Sequence, residues 1–443
     1  MFPIGSLNIL IGQAIPMVFD QSMSWLELLG AVVAKVNELI TASNAYFTVD
    51  LQTYVTNILT AWQDDGTLDT IISEALQTEI DLVEVDVLAV KALARQTFVN
   101  VKDVGAVGDG ATDDTAAIQA AIDTYKNIFI PAGVYIVTQI TIGHSQSIRG
   151  AGIGLSTLKL KANTNTTMLN VRDAYDTLIT DLTLDGNKAE NSTDTTGSVM
   201  FISASAVATS NCQLTNERIY IVNGGNNGIS TVAPRAAGEW NWVYLLNNIS
   251  VKLCKGYGLY DQTTDNHYSN FHIQNCDKAG MFLDHCANNL YVNFKVDTNG
   301  WNSVSPSGNY TTGANIIMEG CVVCQLLNID CQSGYFVGLR MAYVLDCIIN
   351  ISVDHNGART VSDETIVGIG VIMENSDRNI MSVIAPLIVG TYQVTHIYVA
   401  GSCDNNSIMC ESQESAKITN GSTTTFVGGL SSLIAARAAH PVV

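Results

Sequence analysis

Residues 101–137 read VKDVGAVGDGATDDTAAIQAAIDTYKNIFIPAGVYIV, placing a tight turn, a short helix and two β-rich runs in succession with almost no spacer. Gly108-Asp109-Gly110 gives a turn that tolerates positive φ, and Thr112 then stands where a helix N-cap belongs. Asp113 and Asp114 would follow in the first helical turn, where carboxylates interact favourably with the helix dipole. Ala116, Ala117, Ile118, Ala121 and Ile122 form one small apolar face able to close the open end of a solenoid. Phe129–Pro131 and Gly133–Val137 would be the first strands. The order predicts the capped entrance to a right-handed parallel β-helix, with the capping helix at 112–124. Consecutive helical residues point about 100° apart, so Asp113 and Asp114 do not converge on one substrate atom and suit a helix start better than a catalytic dyad.

The same stretch resembles the N-terminal signature of the pectate-lyase-like β-helix superfamily found in phage tailspikes and preneck appendages. The resemblance covers about 50 residues and implies a fold rather than a reaction.

Composition narrows the partners. A formal net charge of −20 over 443 residues is unsuited to nucleic acid, whose phosphates need a concentrated Lys/Arg surface, and equally to an anionic membrane. The apolar start MFPIGSLNILIGQAIPMVF lacks a basic n-region and an A-x-A-like site, and no apolar run has the length of a bilayer span. The expected route is assembly in a host cytoplasm and release by lysis. Ten cysteines show no disulfide-scaffold spacing, and the single C-x-x-C, Cys321 and Cys324, has no second pair or histidines to complete a zinc site. Free buried thiols, no metal and no cofactor are expected.

Ahead of the β-helix the period is helical. Leu28, Leu29, Val32, Val33, Val36, Leu39 and Ile40 share one stripe, and Leu51, Val55, Ile58 and Leu59 another. After the Asp65-Gly66 break, Leu76, Ile80, Val83, Val87, Val90 and Ala94 alternate steps of four and three, and the β-branched seam favours more than two strands. The expected organisation is a helical attachment head at 1–66, a homotrimeric coiled-coil stem at 67–97, the β-helix at 98–410 and a C-terminal cap and tail at 411–443. A helical head with DGTLDTIISEAL, a heptad helix and then the β-helix entrance resembles phage tail and preneck appendage proteins, which implies a module docking on virion neck or tail proteins.

Within the β-helix an Asn-led motif recurs at Asn248, Asn270, Asn293, Asn328 and Asn350, with offsets of 22, 23, 35 and 22 residues. One coil is therefore 22 residues or so, and the long step carries a Gly/Pro/Ser-rich insertion at 301–310. The asparagines would stack at a bend as structural ladders. Strands end in acids at Asp261, Asp284, Glu319 and Glu374, with Ala342 breaking the series. Coils stack about 4.8 Å apart, so neighbouring acids would match the carboxyl spacing of retaining glycosidases, and acids two coils apart the inverting one. Asp284 is the candidate general acid, partnered by Asp261 or Glu319, its pKa raised by like-charge stacking. Trp240, Trp242 and Tyr244 alternate on one strand face, and Trp301 and Tyr310 lie on the insertion, offering rings for sugar stacking. His267, His272 and His285 lie near Asp265 and Asp284 in sequence, without a recognised metal spacing. The paired Asp-Asp and Gly-His-Gly of galacturonases are missing from the repeats.

Three functions fit. A trimeric virion appendage could bind and cleave a host surface polysaccharide or teichoic acid, the same appendage could be an adhesin alone, or the chain could be a free depolymerase.

Overall fold

The computed structural model describes residues 98–428 apart from 175, 194–195, 204–211, 233–241, 301–312, 335–336, 355, 357–359, 362–363, 366–367, 386–392, 413–417 and 421–425. The helical head at 1–66 and the heptad stem at 67–97 lie outside the described residues. So do Trp240, Trp301, Tyr310 and the side chain of Trp242.

The described chain is mainly β and winds as a parallel β-helix, its strands stacking into one sheet of sixteen and another of eleven. Every ladder of both sheets is parallel; the single antiparallel pair among the described residues, Thr360–Val361 with Glu364–Thr365, stands apart from them. Among the described residues no helix is long and apolar enough to cross a membrane.

The opening stretch folds largely as read, with one shift. The helix runs Thr115–Thr124 and buries Ile118, Ala121 and Ile122, while Ala116 is exposed. Thr112 is not its cap. Asp109–Asp113 is instead a strand pairing with Gly133–Val137, and Asp114 occupies the N-cap position. The buried Asp114 carboxylate turns away from the helix to accept the backbone N–H groups of Val107 (2.6 Å) and Gly108 (3.1 Å). Gly108 has φ +69, and a Cβ there would meet the ring of buried Tyr135 at 2.6 Å, so the turn requires glycine.

Coil shape is set by single left-handed residues. Ser147–Gly150 and Ser156–Leu160 are separate strands, yet both pair with the one strand Thr177–Asp185, in which Asp181 (φ 62) marks the bend between them. Arg218, Asn248, Asn270, Asn293 and Asn328 repeat that conformation coil after coil, so each long strand is bent around an αL residue. The expected ladder forms here in part: Asn328 Nδ2 donates to Asn293 (2.8 Å) and Asn293 to Asn270 (3.1 Å), but Asn270 donates to Asn247 Oδ1 (2.8 Å) rather than to the expected Asn248. Asn350 does not join it. The register shifts between Leu326 and Ile329, Ile348–Asp354 has one residue fewer, and the bend disappears.

The interior is a stack of like residues. Tyr268 lies on Tyr291 (5.0 Å, 6°) and Phe271 on Phe294 (4.7 Å, 2°). A second, buried ladder runs along one corner. Asn289 Oδ1 accepts the Asn266 N–H, Cys347 Sγ the Cys324 N–H, Asn379 Oδ1 the Cys347 N–H and Asn406 Oδ1 the Asn379 N–H. Cys324 and Cys347 thus stand in an asparagine column, which gives the C-x-x-C a structural reading. Cys254, Cys276, Cys286, Cys321, Cys324, Cys331, Cys347, Cys403 and Cys410 are all buried free thiols. Past residue 410 the ladders continue through Ile418–Asn420 and Phe426–Gly428.

Candidate functional site

The register of the eleven-stranded sheet decides which acids share a face. Leu259 pairs with Met281 and Met281 with Ile316, so Asp261 pairs with Leu283 and not with Asp284. Asp284 pairs with Glu319, Glu319 with Ala342, and Ala342 with Glu374. The outward column is therefore Gln262, Asp284, Glu319, Ala342 and Glu374. Because side chains alternate faces, the one-residue offset turns Asp261 into the interior. It is 0% exposed and accepts hydrogen bonds from Thr231 Oγ1 (2.8 Å), the Thr263 amide (3.0 Å) and hydroxyl (2.5 Å), Asn289 Nδ2 (3.1 Å) and Tyr291 Oη (2.6 Å). Burial pushes its pKa up, against those hydrogen bonds. The expectation that Asp261 is a catalytic partner of Asp284 is corrected: it is a buried structural carboxyl.

Asp284 is the centre of the outward face. Its Oδ2 accepts Tyr260 Oη (3.0 Å) and Gln262 Nε2 (2.5 Å), and its Oδ1 lies 2.5 Å from His285 Nδ1. Partial burial raises its pKa, but the hydrogen bonds from His285, Gln262 and Tyr260 outweigh it, and the carboxyl is held below its ordinary value. A carboxylate so held is an acceptor, opposite to the general acid expected from like-charge stacking. The imidazole Nδ1 of His285 thus faces the carboxylate, on a side chain 51% exposed.

His285 itself is in the αL conformation (φ 55), in a column continued by Gly320, Tyr343, Asn375 and Gly401. Gly320 (φ +61) makes room for it, since a Cβ there would lie 2.5 Å from the imidazole Cδ2. Beside the array stand three half-buried rings. Phe282 lies 5.1 Å from Tyr257 and 5.4 Å from Tyr260, and the two tyrosines are 5.9 Å apart. Tyr257 and Phe282 pack on an outer apolar cluster that includes Ile317, Val337 and Ile372, which fixes the platform. Burial, followed by the charges of Glu319 and Asp284, pushes the Tyr257 pKa up.

Of the sequence candidates, the structure brings Asp284 and Glu319 together on adjacent strands. The histidines disperse: His267 is exposed on the other sheet, and His272 lies 3.3 Å from Asp297. Trp242 opens the strand Trp242–Lys252, and Tyr244 in that strand is buried. Among the described residues no three His, Cys, Asp or Glu side chains group as a metal site. Gln262, Tyr257, Tyr260 and Phe282 escaped the sequence reading, although alternation in GLYDQ and GMFLD already put Tyr260 with Gln262 and Phe282 with Asp284.

Residues 98–324, more than half of the chain, match the family model "Rhamnogalacturonase A/epimerase, pectate lyase-like". The chain belongs to this family. Mannuronan C5-epimerase AlgE3 of Azotobacter vinelandii is 43% identical over 108 residues, covering 20% of this chain and 6% of the epimerase. The pre-neck appendage protein of Bacillus phage B103 is 28% identical over 191 residues, 39% of this chain and 20% of that protein. In fold, the enzymatically active domain of tailspike protein 2 from bacteriophage CBA120 superposes with a TM-score of 0.55 at 16% identity, over 70% of this pectate-lyase-like chain and 47% of the other. These matches thus span less than half of each relative's length.

Proposed function

We propose that the chain is a subunit of a phage appendage whose β-helix, wound right-handed as parallel crossovers almost always are, binds a host surface polysaccharide on the outer face of the eleven-stranded sheet and processes it there. The observation that carries this reading is the hydrogen-bonded array Tyr260, Gln262, Asp284 and His285 set beside the ring platform of Tyr257, Tyr260 and Phe282. Pyranose faces stack on such rings while their hydroxyls reach carboxylates. Asp284 orients His285 as an acid–base group, and Glu319, one strand away at about 4.8 Å, supplies a second carboxyl. The similarity to a mannuronan epimerase and to a phage appendage protein supports polysaccharide chemistry in a virion setting. Residues 1–66 would dock on neck or tail proteins and 67–97 would hold three chains together. Trp301 and Tyr310, and further off Trp240 and Trp242, are proposed additional sugar contacts.

An adhesin without catalysis is the second reading, favoured by one detail: both oxygens of Asp284 are already engaged by protein donors, as in a purely structural carboxylate. Incubating the purified chain with host wall glycan and sizing the products separates the two. If the enzyme reading holds, the native chain shortens the glycan, and Asp284→Asn and His285→Ala abolish cleavage while retaining binding. Binding without shortening, lost in Phe282→Ala, leaves the adhesin.

A further inference from the structure

The column that holds His285 reaches, two coils further on, a residue that neither the fold nor the array requires. Tyr343 has φ 55 and is 60% exposed. Leu253 and Val323 share that conformation, so backbone strain does not single Tyr343 out; its position does. Its column mates are His285, Gly320, Asn375 and Gly401, all small or polar, and it lies about 10 Å along the axis from His285 at the usual strand spacing. On the strand Val337–Ala342 that leads into it, Arg340 is largely covered, its side chain 13% exposed, and is held by the more open Glu374, Nη2 to Oε2 at 2.9 Å and Nε at 3.1 Å. An aromatic ring and a charged pair that can exchange hydrogen bonds with hydroxyls thus repeat, two coils away, the elements found at Asp284.

We propose that Tyr343, with Arg340 and Glu374 at its side, is a second sugar subsite on the same face, so that a glycan lies along the solenoid axis with one part on the Tyr260–Phe282 platform and its continuation on Tyr343. This inference rests on the polysaccharide reading above. A site that reads length selects long chains over fragments, and Gly320, between His285 and Tyr343 in the column, has no side chain to stand in the path.

The test uses Tyr343→Asn, because Asn375 already occupies this column with φ 47, and Tyr343→Phe as the conservative variant. The probe is host wall polysaccharide, cut by partial acid hydrolysis and separated into short and long fractions, with binding measured by calorimetry on the full chain. Tyr343→Asn should melt with the native chain and bind the long fraction about tenfold more weakly, the effect of losing one stacking contact. It should bind the short fraction unchanged, and Tyr343→Phe should restore long-chain affinity. Native affinity for the long fraction in Tyr343→Asn, or equal losses on both fractions, overturns the subsite. If the native chain binds neither fraction, the polysaccharide reading falls and the subsite with it.

Discussion

Replacing Asp261 by alanine removes a buried carboxyl that receives five hydrogen bonds. The threonine hydroxyls among its donors can turn elsewhere: Thr231 Oγ1 has the Tyr260 carbonyl at 3.4 Å, and Thr263 Oγ1 has Tyr268 Oη at 3.3 Å. The Thr263 amide and the Tyr291 hydroxyl lose their acceptor, whereas Asn289 Nδ2 keeps the Thr263 carbonyl at 3.1 Å. Stranding two buried donors at about 1–3 kcal/mol each gives a loss of about 2–6 kcal/mol, a large share of the roughly 5–15 kcal/mol typical of a folded domain. Asp261→Asn keeps the volume but turns an NH2 toward a donor, so about 1–3 kcal/mol is expected. Asp284→Asn, on the half-buried outer face, should unfold within about 0.5–1 kcal/mol of the native chain yet lose about two to four orders of magnitude in turnover. Urea unfolding of the three variants at neutral pH, followed by circular dichroism, measures the order. The pH dependence has its own sign. Burial raises the folded pKa of Asp261, so the native state holds the extra proton and this group's contribution grows as pH falls toward the unfolded value near 3.8. The native chain should therefore gain on Asp261→Asn as pH is lowered. An Asp261→Ala chain as stable as the native one, or an Asp284→Asn chain that fails to fold, would refute the division into structural and functional acids.

Asp284 is held below its ordinary pKa, so its stabilising contribution is present above the unfolded value near 3.8 and is lost only as pH falls through the lower folded one; the small margin of the native chain over Asp284→Asn in urea unfolding should persist at about pH 4 and vanish at more acidic pH. Gly320→Ala places a methyl against the His285 ring at φ +61, and should lower turnover through displacement of the imidazole, visible as a changed His285 signal by NMR in a chain that still folds. Asn293→Ala cuts two rungs of the exposed ladder, and a loss of about 1–2 kcal/mol with unchanged glycan binding is expected from denaturation and calorimetry. Sedimentation equilibrium of the full chain should give three copies, and charged substitutions at Val83 and Val87 should give one.

The stretch 101–137 determined the fold class by itself, because turn, helix and strand signals there are local and each points to the same entrance. The coil length was equally legible, since a solenoid repeats its physics with its sequence and the bend asparagines mark each turn. The lack of scaffold spacing among the cysteines agrees with the nine described ones being buried free thiols. What the linear chain did not carry was register. Asp261 and Asp284 both end a strand in an acid, but only hydrogen-bonded pairing tells that one coil is offset by a residue, and with side chains alternating faces that single step exchanges a solvent-facing carboxylate for a buried one. The same holds for Asp114, whose carboxylate serves a turn instead of a helix start because the folded loop brings two backbone N–H groups to it. Residue types and periods are properties of the chain; which side chains meet Asp284 was decided by how the coils stack.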